Sequence, residues 1–265
     1  MNQTSSLAPR DVPSHTTQTF RAKGHDYCVL IPIINEGSRI QNQLRQMATV
    51  ALRADVILVD GGSTDGSLTD ALMKETGVRT LLTKTGPGKQ SAQLRVGFDY
   101  ALREGYHGIV LIDGNGKDGV EAIPAFVDKL EAGYDFIQGS RYAPGGKAIN
   151  TPRERHLAVK LVHAPLISAA ARYWYTDTTN GFRGLSRKFL LDDRVQPFRD
   201  VFSTYNLHYY LAIRAPRLGF KVCELGVTRA YPKGEIPSKI SGWKGKMHIM
   251  KLLWESLTGK YNPKL

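Results

Sequence analysis

Five short runs of β-branched and aliphatic residues, at 27–33, 55–60, 78–83, 108–113 and 135–138, alternate with helical patterns at 38–49, 67–76, 89–103 and 120–132. Such alternation is what βαβ units produce, and it predicts an α/β domain built on a parallel sheet with helices on its faces. In the first helical stretch Ile40, Leu44 and Met47 recur at helical spacing and would line one buried face. Ligands of such sheets bind outside the carboxyl ends of the strands, so the chemistry is sought where the apolar runs stop.

The run Ile109-Val110-Leu111-Ile112 stops at Asp113, in the turn Asp113-Gly114-Asn115-Gly116-Lys117. A carboxylate there would meet a metal ion or a charged leaving group, whereas Lys117 puts a cation where a metal would favour another oxygen ligand. The first run ends in Pro32-Ile33-Ile34-Asn35-Glu36-Gly37, and Pro32, lacking an N–H, suits a strand end. The second ends in Val59-Asp60-Gly61-Gly62-Ser63-Thr64-Asp65-Gly66. Glu36 and Asp60 could accept hydrogen bonds from a base or a ribose; alternatively Ser63, Thr64 and Asp65 cap the helix that follows. Gly86-Pro87-Gly88-Lys89 is a glycine-rich turn at a helix start, where backbone amides and an ammonium both favour anions. A surface lysine with no ligand is the lesser alternative for Lys89.

The 265 residues carry 36 Lys+Arg against 24 Asp+Glu, a net charge of +12 that suits an anionic partner such as a nucleoside diphosphate, a lipid phosphate or a phospholipid surface. Nucleic acid is disfavoured, because the basic residues are not interleaved with an RNA- or DNA-reading motif. Cys28 and Cys223 lie in apolar runs and read as unpaired thiols in a reducing compartment. Residues 1–24 are rich in Ser, Thr and Gln without a signal-length apolar core, which predicts a disordered leader and no secretion. Region 157–174 is broken by Lys160, His163, Pro165 and Arg172, and falls short of the roughly 20 apolar residues that span a bilayer.

Past Gly139 the rhythm changes to a basic helical region at 151–175, a helix at 204–218, a strand at 220–227 and a mobile loop at 233–243. Stretch 244–261 mixes Lys and His with Met247, Ile249, Met250, Leu252, Leu253, Trp254 and Leu257, an amphipathic helix that docks on the domain or lies on a membrane surface. His163 and His208 fall in apolar helical patterns and read as packing residues. Glu224, after Cys223 at a strand end, is a candidate reacting carboxylate, with a structural role as the favoured reading.

Taken in order, Pro32…Asn35-Glu36, Val59-Asp60-Gly61-Gly62-Ser63-Thr64-Asp65-Gly66, Gly88-Lys89-Gln90 and Leu111-Ile112-Asp113-Gly114-Asn115 resemble the family 2 glycosyltransferases. Gly139-Ser140-Arg141-Tyr142, Asp177-Thr178-Thr179-Asn180-Gly181-Phe182-Arg183 and Pro237-Ser238-Lys239 are similar to the branch that makes dolichyl- and polyprenyl-phosphate sugars. The resemblance runs from about 27 to 240. It implies the A-type glycosyltransferase fold, a single domain with a Rossmann-like, mostly parallel central sheet flanked by helices. Residues 25–138 would form a nucleotide-sugar half and 139–240 an acceptor half, with 241–265 a C-terminal helix and tail.

The resemblance further implies an inverting transfer from a nucleoside diphosphate sugar, UDP before GDP, to a lipid phosphate or glycan in cell-surface glycan synthesis. The enzyme would be cytoplasmic and peripheral on the inner membrane face, alone or as an oligomer. Pro32, Glu36 and Asp60 would hold the nucleoside, Lys89 would lie near the phosphates, and Asp113 with Asn115 would hold the diphosphate and Mg²⁺ or Mn²⁺. The family usually has Asp-X-Asp where this chain has Asp113-Gly114-Asn115. Two readings follow: Asp113 and the diphosphate hold the metal, or Lys117 partly replaces it. Arg141, Arg153, Arg155, Lys160, Arg183, Arg187 and Lys239 fall in segments whose family counterparts surround the active site, and Arg141 is the foremost phosphate ligand among them. Asp177 would be the carboxylate facing the acceptor: a general base toward a hydroxyl, a positional group toward a phosphate. A non-catalytic nucleotide-sugar-binding protein stays open because Asn115 weakens the metal motif. A nucleotidyltransferase fits less well, since Ile34-Asn35-Glu36-Gly37 is not its glycine-rich basic loop.

Overall fold

The computed structural model describes residues 10–232 and 242–263. Its strands, in chain order, are β1 (His15–Thr19), β2 (Tyr27–Ile33), β3 (Asp55–Asp60), β4 (Val78–Lys84), β5 (Gly108–Leu111), β6 (Phe136–Ser140), β7 (Lys147–Ile149), β8 (Arg183–Ser186), β9 (Val222–Gly226) and β10 (Thr228–Ala230). Helices are α1 (Ser38–Ala48), α2 (Asp70–Glu75), α3 (Gln90–Arg103), α4 (Ile123–Glu131), α5 (Arg153–Ala158), α6 (Ala164–Ala171), α7 (Arg187–Leu191), α8 (Asn206–Arg217) and α9 (Gly242–Leu257). The main sheet has the order β1-β4-β3-β2-β5-β8-β6-β9, and β7 and β10 pair in parallel beside it.

The expected βαβ units form the parallel run β4-β3-β2-β5. β8 then enters antiparallel between β5 and β6, setting Arg183 opposite Leu111. The chain leading into β8 therefore arrives at the carboxyl end of β5, beside Asp113. Both sheet faces are covered, and side chains alternate between them along each strand. Leu30 faces a core with Phe98, Phe136 and Phe189, while Val29 and Ile31 face one with Ile40, Leu44 and Phe126. Each such buried side chain contributes about 1.5–3 kcal/mol.

Several expectations need correction. Within the expected disordered leader, β1 pairs antiparallel with β4, His15 opposite Lys84 and Thr19 opposite Thr80, because the outer edge of β4 offers unpaired backbone groups that an alternating Thr/Gln segment can satisfy. The helix expected at 67–76 is shorter: Thr69 caps α2, its Oγ1 accepting the Leu72 N–H at 3.2 Å, so Ser63, Thr64 and Asp65 are free for other work. The basic helical region at 151–175 is interrupted by a π-helical turn at Val159–His163, next to Pro165, and ends at Arg172 in the left-handed conformation.

Cys28 is buried and Cys223 half-buried, both as free thiols. Among the described residues no helix is long and apolar enough to cross a membrane. α9 packs on α8 and α6 through Leu252 and Leu253. Trp243, Met247, Met250 and Trp254, spaced by four, three and four, leave an apolar stripe exposed on α9. Residues 233–241, with most of the expected loop and the Pro237-Ser238-Lys239 motif, lie outside the described residues.

Candidate active site

At the carboxyl ends of β2 and β3 the two following loops are tied into one floor. The Gln93 amide of α3 donates to the carbonyls of Ile33 (2.7 Å) and Val59 (2.8 Å), bridging the strand ends. Asn35 donates its N–H to Ser63 Oγ (2.9 Å) and accepts the Thr64 N–H (2.8 Å); Asp65 accepts the Gly37 N–H (2.8 Å). Asn35 adopts a φ of 50°, a left-handed conformation that asparagine tolerates. Asp60 holds its own turn, accepting the Ser63 N–H at 3.0 Å and hydroxyl at 2.6 Å. Glu36 accepts Arg39 Nε (3.1 Å) and Nη2 (2.9 Å). Pro32 lies in register with Val59 of β3, and the pairing of β2 with β5 ends before it, at Leu30.

Lys89 is exposed at the start of α3. Its N–H and that of Ser91 donate to the carbonyls of Ser203 and Thr204, both at 2.7 Å, so these two amides serve the loop before α8 rather than an anion. Gln90, not singled out from sequence, reaches Asp113 Oδ1 from Nε2 at 3.4 Å.

The Asp113 turn is pinned from α1: Gln43 donates to the Asp113 carbonyl (3.0 Å) and accepts the Gly116 N–H (2.9 Å). Two further hydrogen bonds lay β10 against the same turn, from the Gly119 N–H to the Thr228 carbonyl (3.0 Å) and from the Ala230 N–H to the Lys117 carbonyl (2.8 Å). That placement aims Arg229 inward. Its Nη2 lies 3.2 Å from Asp113 Oδ2, and its Nη1 is bonded to the buried Asp118 carboxylate and reaches Asn180 Oδ1 at 3.4 Å. Burial works against charge on Asp113, but the Arg229 guanidinium, with Lys117, holds its carboxyl below the ordinary value. Burial and Arg229 together push the Lys117 ammonium down.

This donor set does not fit a divalent ion. Asp113 Oδ2 also accepts from Asn115 Nδ2 (3.4 Å), and Asn115 Oδ1 accepts the Lys117 N–H (3.2 Å). Asp113 and Asp118 are balanced by Arg229 and Lys117, so the side chains alone leave no net negative charge for a dication, and a bound diphosphate would have to supply it. Among the described residues no group of three or more His, Cys, Asp or Glu could hold one. Mg²⁺ or Mn²⁺ wants hard anionic oxygens, and about 4 Å from a guanidinium it would meet a repulsion of about 8 kcal/mol at an effective dielectric constant of about 20.

The cations of the second half divide. Arg141 does not present its fork to a phosphate. It is buried against Asp177, Nε to Oδ2 at 2.6 Å and Nη2 to Oδ1 at 3.0 Å, with Nη2 also on Thr179 Oγ1. The Asp177 side chain is wholly buried and also accepts the Thr179 N–H and hydroxyl, so it faces Arg141 rather than an acceptor. Two charges removed from water are tolerated only when they pair this closely. Arg183 is buried too, donating to the carbonyls of His208, Thr178 and Asn180, and Arg187 donates to the Leu102 carbonyl; both are structural pins. Glu224, as expected, holds backbone, accepting from Thr176 and Asp177. His163 stacks on Tyr209.

Arg155 is half-exposed and Lys160 exposed. Arg155 Nη1 donates to Tyr231 Oη (2.8 Å), and the Lys160 ammonium sits 5.1 Å from the Tyr142 ring centre. Tyr231 also has the Lys117 ammonium at 5.1 Å from its ring centre and Arg229 at 5.9 Å. Burial raises the Tyr231 pKa, but Arg229 and Arg155 bring it below the ordinary phenol value.

An eight-stranded mixed α/β sheet with acidic residues at its parallel strand ends and helices on its faces is the architecture of an α/β enzyme, and solved structures share it. Glucosyl-3-phosphoglycerate synthase from Mycobacterium tuberculosis, solved with Mn²⁺, UDP and glucosyl-3-phosphoglycerate, superposes with a TM-score of 0.57 at 18% identity over 91% of this chain and 82% of that one, which establishes the A-type glycosyltransferase fold. The model of Glycosyl transferase family 2 matches residues 28–193, and the chain belongs to that family. It is similar to polyprenol monophosphomannose synthase of Mycolicibacterium smegmatis, 29% identical over 222 residues, covering 81% of this chain and 80% of the relative. Undecaprenyl-phosphate mannosyltransferase of Micrococcus luteus is 27% identical over 220 residues, covering 80% and 86%. The chain is a glycosyltransferase of the branch that the sequence motifs resemble.

Proposed function

We propose that this enzyme moves a hexose from a nucleoside diphosphate sugar to a polyprenyl phosphate at a membrane surface, by direct displacement with inversion at the anomeric carbon. One observation carries the acceptor class: the carboxylates at the sheet edge are already held, Asp113 and Asp118 by Arg229 and Asp177 by Arg141. A hydroxyl acceptor needs a general base to take its proton. A phosphate oxygen is ionised before it attacks and needs none, and Arg155 and Lys160 supply charge that would attract it.

Glu36 and Asp60, at neighbouring strand ends, would take the nucleoside beside Pro32, with Lys89 at the phosphate end. Mannose is the sugar named for both relatives above, and UDP is the nucleotide in the solved neighbour; these support the donors to try first, GDP-mannose beside UDP-hexoses. The stripe Trp243, Met247, Met250 and Trp254 is suited to lie in a bilayer interface, where a polyprenyl phosphate resides. The test is transfer of labelled sugar by the full chain to vesicles carrying a polyprenyl phosphate. Label in the lipid fraction, released by mild acid as free sugar and carrying in the intact lipid the anomeric configuration opposite to the donor's, is expected; transfer only to hydroxyl acceptors, or none, overturns the reading.

A further inference from the structure

At the edge of β5 two cations from separate parts of the chain converge on the place where a leaving diphosphate would lie. Arg229 comes from β10 and Lys117 from the turn after Asp113, and the Ala230 N–H to Lys117 carbonyl bond locks their backbones side by side. Asp118 grips Arg229 Nη1 from beneath, while Nη2 lies at 3.2 Å from a carboxylate that retains 19% side-chain exposure. Its two guanidinium nitrogens thus have unequal partners: one wholly buried, the other partly exposed.

We propose that Arg229 and Lys117 form a cationic clamp that does, for the leaving diphosphate, the work of a divalent ion, with Asp118 as the residue that positions Arg229. The inference rests on the donor-site reading above and deepens it. When donor binds, Arg229 Nη2 turns from Asp113 to an oxygen of the β-phosphate while Nη1 stays on Asp118, and the Lys117 ammonium leaves the face of Tyr231 for the same phosphate. In the transfer the bond from the anomeric carbon to the β-phosphate oxygen breaks, its electron pair staying on the diphosphate. An acceptor phosphate oxygen forms the new bond to that carbon. No proton moves, and the charge that grows on the leaving group is met by two fixed cations. Asp113 serves as the resting partner that keeps Arg229 extended toward the end of β5 before donor arrives.

Titration calorimetry of the full chain with UDP and with GDP, in EDTA and in excess Mn²⁺, tests this without relying on turnover, and the electron paramagnetic resonance signal of free Mn²⁺ in the same mixtures reports whether protein and nucleotide together take up metal. The tighter nucleotide is expected to bind within about threefold equally in both buffers, with no uptake of Mn²⁺ beyond that of the nucleotide alone. Lys117→Gln, at a half-exposed position, should lose about tenfold or more of that affinity in EDTA. Arg229→Gln leaves Asp118 buried and unpaired, so the double variant Arg229→Gln/Asp118→Asn, which removes both charges, is measured with it and should lose a comparable amount. Binding that strengthens about tenfold or more with Mn²⁺, or variants that bind in EDTA as the parent does, overturns the clamp alone. Failure of both nucleotides to bind under any condition overturns the donor site and the clamp with it.

Discussion

Gly181 stands so close to the Asp113 carboxylate that a β-carbon on it would lie 2.7 Å from Oδ1 and 3.1 Å from Cγ. The contact exists because β8 runs antiparallel to β5 and delivers the 177–182 segment to the end of its neighbour. Gly181→Ala should therefore move Asp113 off Arg229 and Gln90. An expected stability loss of about 1–3 kcal/mol accompanies a fall in kcat of roughly 10²-fold, since misplacement by an ångström is enough. Steady-state kinetics with a thermal melt checks it; a full rate would mean that the Asp113 position does not matter to transfer.

Arg141 and Asp177 are a closed pair, with side chains 1% and 0% exposed. Asp177→Asn should destabilise the fold by about 3–5 kcal/mol in urea unfolding, and Arg141→Met/Asp177→Leu by clearly less, because removing both charges avoids leaving one buried alone. Had Asp177 been a general base, the asparagine variant would keep its stability and lose rate with a shifted pH profile.

Burial and the Arg183 guanidinium push the His208 pKa down to about 3. Burial also lowers that of His163, although Asp177 acts against this. Between the ordinary value of 6.5 and about 3, the unfolded chain binds a proton at His208 that the folded chain refuses. The stability this neutral imidazole contributes is thus present above about pH 6.5 and lost as pH falls toward 3. Unfolding free energies measured across that range should decline steeply, and His208→Gln should flatten the slope. An unchanged slope would show that His208 titrates normally in the native state.

The two faces of α9 should separate by function. Leu253→Ala, in the core, is expected to cost about 2–5 kcal/mol of stability. Trp243→Ser/Met247→Ser/Trp254→Ser, on the exposed stripe, should leave the melting curve unchanged and abolish most sedimentation with anionic vesicles. Equal sedimentation of this variant and the parent would remove the stripe from the membrane reading.

How much of this was readable in advance differs by residue. The parallel run β4-β3-β2-β5 announces itself because β2, β3 and β5 are short, mostly apolar runs alternating with helical patterns, a local signal that β4, with Arg79, Thr80 and Thr83, carries more weakly. β1 does not, since an edge strand of Thr and Gln borrows its order from β4. The buried Gln43 leaves a trace, a polar residue between Ile40 and Leu44 on the buried face of α1, but what it bonds lies 70 residues away.

Backbone periodicity and turn chemistry, which act over a few residues, made the parallel strands, the acidic strand ends at Asp60 and Asp113 and the family of those motifs legible in the chain alone, as composition did the surplus of positive charge. Only the tertiary structure decided which charges meet. Arg229 finds Asp113 across 116 residues, Arg141 closes on Asp177 across 36, and Arg183 turns to backbone carbonyls. Ions removed from water must find partners in space, and the antiparallel entry of β8 with the docking of β10 sets which partners are near.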